Sequence, residues 1–122
     1  MPKIIYTKNA PEPVGPYSQA VEANGVLYCS GQIGINPENG QLAVGVEAQT
    51  KQVMKNINAV LSEAGYTFEN VVKTTCFLSD MSNFGVFNQI YAEYFISKPA
   101  RSCVEAKLPK DALVEVEIIA SK

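Results

Sequence analysis

The chain has 122 residues, 47% of them hydrophobic, and a formal charge of -2 at neutral pH. That length accommodates one domain with a proper core, and the charge pattern, without any cluster of Lys or Arg, offers no basic footprint for a nucleic-acid backbone. Histidine is absent, which removes the Ser-His-Asp and Cys-His catalytic pairs and the commonest metal ligand.

Cys29, Cys76 and Cys103 form an odd set with no CxxC spacing, so neither a disulfide framework nor a metal site is expected. They read as reduced thiols of a cytoplasmic protein. Residues 1–7 carry no long apolar stretch behind a basic start, and no run elsewhere approaches a membrane span, so a soluble, untargeted chain is expected.

A short strand is possible at Lys3 to Tyr6. Ala23-Asn24-Gly25 is a hairpin signal between predicted strands near 17–23 and 26–35, and Asn36-Pro37-Glu38-Asn39-Gly40 ends the second. From Val46 to Ala64 apolar residues recur at helical spacing, with Gly65 where a left-handed cap belongs. Val71 to Ser79 reads as a strand apolar on both faces, which belongs inside a sheet. Asp80 or Ser82 can cap a second amphipathic helix carrying Phe84, Phe87, Ile90, Tyr91, Tyr94 and Phe95, stopped at Lys98-Pro99. Strands from Arg101 to Ala106 and from Leu113 to Ala120 close the chain. The order is satisfied by an α+β fold, one mixed sheet with two helices on one face. Gly31 and Gly34 do not form a GxGxxG phosphate loop.

Alternation along Pro99-Ala100-Arg101-Ser102-Cys103-Val104-Glu105 puts Arg101, Cys103 and Glu105 on one face of their strand. The sheet face free of helices is expected to carry them together with Glu115 and Glu117. A guanidinium keeps its proton and offers a planar fork of donors, well suited to hold a carboxylate or phosphate. The alternative is an Arg-Glu ion pair. Cys103 reads as a packed thiol more readily than as a nucleophile, having no histidine to ionise it. Tyr17, behind a proline, either presents its hydroxyl to a ligand or packs. Ser30-Gly31 marks either a close ligand approach or a bulge. Asn88 reads as a helix-surface residue.

The segments Asn9-Ala10-Pro11, Gly15-Pro16-Tyr17-Ser18-Gln19, Ser30-Gly31-Gln32-Ile33, Val72-Lys73-Thr74-Thr75, Pro99 to Glu105 and Leu108-Pro109-Lys110-Asp111 together resemble the RidA family, also called YjgF/UK114, over essentially the whole chain. The resemblance implies a chorismate-mutase-like fold, a homotrimer around a β-barrel with ligand clefts between subunits, and no cofactor or metal. It implies hydrolysis of 2-imino acids and their enamine tautomers, such as 2-iminobutanoate and 2-iminopropanoate, to 2-keto acids and ammonia. By the same resemblance, Arg101 clamps the substrate carboxylate, Cys103 lies beside it, and Glu115 positions the attacking water. Tyr17, Ser30, Gly31 and Asn88 correspond to other cleft positions. The link into Arg101 is short, and Glu105-Ala106-Lys107-Leu108 is one residue shorter than the usual pattern, which leaves Glu117 as an alternative to Glu115. A non-catalytic module binding a small carboxylate and an RNA-cleaving translation inhibitor are the competing functions. The charge and the missing histidine speak against the latter.

Overall fold

The apolar stripe of a long helix and the apolar face of the last strand meet to form the core. In the computed structural model, which describes residues 2–122, the strands are β1 (Lys3–Ile5), β2 (Ala20–Ala23), β3 (Val26–Cys29), β4 (Gln32–Ile33), β5 (Ile35–Asn36), β6 (Gln41–Leu42), β7 (Val71–Leu78), β8 (Ala100–Glu105) and β9 (Val114–Ser121). Helix α1 (Val46–Ala64) precedes β7, and α2 (Phe84–Tyr94) connects β7 to β8. The main sheet runs β1-β2-β3-β9-β7-β8, with β4 also paired to β9, while β5 and β6 form a small hairpin. Only the β7–β8 pair is parallel, as a helical crossover allows. The expected α+β arrangement is therefore the one adopted. Among the described residues no helix is long and apolar enough to cross a membrane.

Alternation in β9 is clean: Val114, Val116, Ile118 and Ala120 are buried beneath the helices. From the other side α1 contributes Val53, Met54, Ile57, Val60 and Leu61, and α2 contributes Phe87, Ile90 and Tyr91. Each large apolar side chain buried this way contributes about 1.5–3 kcal/mol. Helix α1 ends where the glycine signal put it. Gly65 has φ 82°, and the N–H groups of Gly65 and Tyr66 donate to the carbonyls of Ser62 and Leu61. Asp80 is the cap that forms before α2, its carboxylate accepting from the Ser82 N–H at 2.8 Å at the start of a short turn leading into the helix.

Two expectations about the strands change. The stretch read as one strand over 26–35 is broken: Tyr28 pairs with Ile119 but Gln32 with Val116, so four steps on one strand oppose three on β9. The extra residue is a bulge at Ser30-Gly31, held by the Ser30 N–H on the Gln19 carbonyl and the Ser30 hydroxyl on the Ser18 carbonyl. The strand placed near 17–23 begins only at Ala20, because Tyr17 and Ser18 belong to the loop that the bulge ties down.

Buried amides fix this region. Gln19 accepts from the Thr7 N–H (2.7 Å) and donates to the carbonyls of Thr7 (3.0 Å) and Pro11 (2.9 Å). Asn56 of α1 donates to the carbonyls of Ile33 and Ile35. Gln49 donates to the Ala43 carbonyl and accepts from the Leu113 N–H. Helix α1 thus holds, through two side chains, the backbone of β4, β5 and the entry to β9. Gly34 lets the chain lie directly on the helix, since a β-carbon there would fall 2.7 Å from the Gln49 carbonyl oxygen.

Candidate functional site

The bulge, the Tyr17 loop and the start of β9 enclose a cleft of about 480 Å³, lined by Tyr17, Ser30, Gly31, Ile33, Glu115 and Glu117 among others. Glu115 is half-buried, and its carboxylate lies over the backbone of Gly31: a methyl on Gly31 would sit 2.0 Å from its Oε2. Burial, and secondly the like charge of Glu117, hold the Glu115 carboxyl above the usual carboxylate range. Lys110 reaches the same cleft from a turn in which it and Asp111 both take left-handed backbone conformations (φ 56° and 57°).

Arg101 lies elsewhere. It opens on a separate recess of about 470 Å³ at the sheet's edge, shared with Asn88, Tyr91, Phe95, Lys98 and Pro99. Register explains the separation. Arg101, Cys103 and Glu105 pair with Thr74, Cys76 and Leu78, which are buried under the helices, whereas Glu115 and Glu117 pair with Phe77 and Thr75 on the opposite face. The expectation that all five residues share the uncovered face is thus corrected. Alternation shows which residues of one strand lie together, but the phase between strands is set by pairing, which a single strand does not reveal. Edge position lets a charged side chain occupy the helix-side face, because α2 covers β8 only partly and Arg101 stays half-exposed.

Arg101 is the sole arginine of the sequence. Its Nη1 donates to Asn88 Oδ1 at 2.7 Å, and its guanidinium lies 4.7 Å from the Tyr91 ring centre and 5.5 Å from that of Phe84. No carboxylate neutralises it: the ion pair among the described residues joins Lys51 to Glu47. An Arg-Glu ion pair within the sheet is therefore not formed. Glu105 instead accepts from the Met81 N–H at 2.9 Å. Asn88, read as a helix-surface residue, is half-buried and serves as an acceptor for the guanidinium.

Cys103 lines neither recess. Burial raises its thiol pKa, with Arg101 opposing, so the thiolate needed for attack is not favoured at neutral pH. Cys76, its partner across the strands, is pushed up to about 12 by burial. Among the described residues no cluster of His, Cys, Asp or Glu could hold a metal ion.

Thr74, Tyr91, Gln49 and Asn56 were not singled out by sequence reasoning. Tyr91 was counted as an apolar helix position, yet its hydroxyl is 2.8 Å from Thr74 Oγ1 in the interior. A signal was present: a buried tyrosine needs a partner for its hydroxyl, and Asn56 falls among the core positions of α1.

Comparison with known proteins agrees with this fold. Residues 7–122 match the family described as Endoribonuclease L-PSP. A RutC family protein of Pyrococcus horikoshii is 50% identical over 125 residues, covering 100% of this chain and 99% of its own. The structure of YyfA, a Rid family protein of Yersinia pestis, superposes with a TM-score of 0.97 at 53% identity, covering 100% of both chains. The structure of E. coli TdcF with bound serine has a TM-score of 0.94 at 35% identity, covering 98% of both chains.

Proposed function

Because the chain belongs to the Endoribonuclease L-PSP family, whose solved relatives include Rid proteins, we propose that it hydrolyses 2-imino acids and their enamine tautomers to 2-keto acids and ammonia. The observation that carries this reading is the Arg101 guanidinium, oriented by Asn88, laid against Tyr91, and left without an anionic partner. Such a group suits a substrate carboxylate, each charge-assisted bond contributing about 1.5–3 kcal/mol.

A protonated imine is already electrophilic, so the protein has to fix the carboxylate, place a water and move protons. Water adds to the imine carbon with its proton passing to Glu115. The proton returns to the nitrogen, and the C–N bond then breaks as the hydroxyl proton passes to Glu115, which releases ammonia and leaves the keto acid. Glu12, Glu115 and Glu117 give the first cleft an acidic character that suits a cationic iminium and repels a phosphate backbone. Together with the absence of histidine, this disfavours the RNA-cleaving reading. The second reading, a carboxylate-binding module without turnover, is favoured by the serine bound to TdcF. Coupling threonine dehydratase to this protein separates the two: faster 2-oxobutanoate formation means turnover.

If Glu115 is the base, kcat/KM should fall toward acid pH through a pKa above the ordinary carboxylate range. Ionisation is needed for activity and is delayed by burial, and Glu117 delays it further. Glu117→Gln should move that limb to lower pH without abolishing activity. A limb that does not move would assign the titrating group elsewhere.

Within one chain Arg101 and Glu115 lie on opposite sheet faces, so one subunit does not unite them. We assign the joining to a homotrimer in which the Arg101 recess of one subunit meets the Glu115 cleft of the next. The uncovered sheet face supports this, since Ile4, Tyr28 and Val104 are exposed at 69%, 50% and 48%. Tyr17→Ala subunits carry an intact Arg101, and Arg101→Ala subunits an intact Tyr17. After dissociation and joint reassembly of two impaired variants mixed equally, about a quarter of the junctions should hold both native residues and recover activity in the coupled assay. No recovery despite verified exchange would place both residues in one chain's site, and a monomer in sedimentation would end the interface assignment.

A further inference from the structure

A guanidinium offered to a ligand on a flexible stem loses side-chain entropy when it binds, unless something already holds it. Arg101 sits at the edge of the sheet on a half-exposed strand, so its own backbone cannot supply that order. Its neighbours do. Asn88 fixes one nitrogen by the 2.7 Å bond, and the aromatic ring of Tyr91 lies 4.7 Å beneath the central carbon, with the Phe84 ring farther away at 5.5 Å. The ring itself is not free to turn. Its hydroxyl is tied 2.8 Å from the Thr74 hydroxyl inside the core, and Thr74 is the register partner of Arg101 on the neighbouring strand. Phe87 and Phe95 pack on the same ring, with centroids at 5.7 Å and 4.4 Å.

We propose that Tyr91, anchored by Thr74, is a positioning residue: it holds the Arg101 guanidinium as a flat, pre-ordered fork and thereby sets the affinity of the site for carboxylates. The platform is a statement about Arg101 alone, and its effect on substrate rests on the imine-hydrolase reading. Strand β7 supplies the anchor, α2 the ring and β8 the cation, so the βαβ unit builds the carboxylate-binding half of the site. Asn88 orients one edge of the cation and Tyr91 one face, leaving the remaining donors to the ligand. An aromatic ring attracts a cation without presenting a charge that would compete for the fork.

The test uses the intact protein. Because Arg101 is the sole arginine, its Nε–H gives one side-chain signal in ¹⁵N–¹H spectra. In the parent protein that signal should carry the shift induced by a neighbouring ring. Tyr91→Leu should reduce the shift to what the more distant Phe84 ring induces, weaken 2-oxobutanoate binding about tenfold and raise KM in the dehydratase-coupled assay similarly, with kcat changed by less than about twofold. Tyr91→Phe keeps the ring between Phe87 and Phe95 but loses the bond to Thr74, so it should reduce the shift as Thr74→Val does and bind between the parent and Tyr91→Leu. Should Tyr91→Leu fail to fold, Thr74→Val carries the test, since it frees the ring while leaving Arg101 in place, and it should reduce the shift. An Nε–H signal unchanged in Tyr91→Leu or Thr74→Val would overturn the proposal. So would Tyr91→Phe and Tyr91→Leu losing affinity equally, because the ring would then be irrelevant. Failure of the parent protein to bind 2-oxobutanoate would instead defeat the functional reading, with the spectra still deciding the platform.

Discussion

Arg101→Ala is expected to leave the fold intact and reduce imine hydrolysis by about two to four orders of magnitude. Two charge-assisted bonds to a carboxylate are together worth about 3–6 kcal/mol, and each 1.36 kcal/mol is a factor of ten in kcat/KM. The fold is spared because the side chain is half-exposed at a sheet edge, and its removal orphans no buried charge. Arg101→Lys should recover little, since a compact ammonium replaces neither the bidentate fork nor the bond to Asn88 across the Tyr91 ring. Circular dichroism with the dehydratase-coupled assay checks both halves of the prediction. Activity at the parental level in Arg101→Ala would remove Arg101 from the site.

Gly31→Ala should be nearly as damaging for a different reason. Its φ does not lie in the left-handed region that excludes side chains, so alanine is compatible with the backbone. The added methyl, however, would sit 2.0 Å from Glu115 Oε2 and 2.9 Å from its Cδ, so the carboxylate must move by more than an ångström. Misplacing a reacting group on that scale costs about a hundredfold in rate. The effect should depend on its target: in a Glu115→Gln background, Gly31→Ala should add little. Independent, additive losses would mean that Gly31 serves through its own backbone and not through the placement of Glu115. Melting temperatures close to the parental value would confirm that the damage is local.

Much of this architecture was legible because local and global signals agreed. The apolar spacing from Val46 to Ala64 with Gly65 beyond it specified α1 and its end, and the alternation from Leu113 to Ala120 specified the buried face of β9. For the site, residue type narrows the chemistry that can be proposed: a strand-borne arginine in a chain without histidine leaves few options. What could not be read was phase. Placing Arg101 opposite Thr74 and Glu117 opposite Thr75 is decided by which strands pair, and it turned one expected polar face into two half-sites. The bulge at Ser30-Gly31 is one of the two readings its glycine offers, but the break it makes in the strand shows only against β9. Periodicity places Asn88 and Tyr91 on a helix face without naming what they meet; for Asn88 only the family resemblance points to a cleft.

The amides of Gln49 and Asn56 have a bearing on motion. Gln49 from the first turn of α1 and Asn56 from its middle reach backbone flanking the Glu115 cleft, and the N–H of Leu113 ends on Gln49. Releasing that N–H to solvent requires the first turn of α1 to lift from the start of β9, so its hydrogen exchange should report the opening of that contact. The wall of the cleft is therefore tied to a buried helix and is not expected to behave as a lid. Any gating of ligand entry falls to the Tyr17 loop and the Pro109–Asp111 turn, which lie outside these contacts.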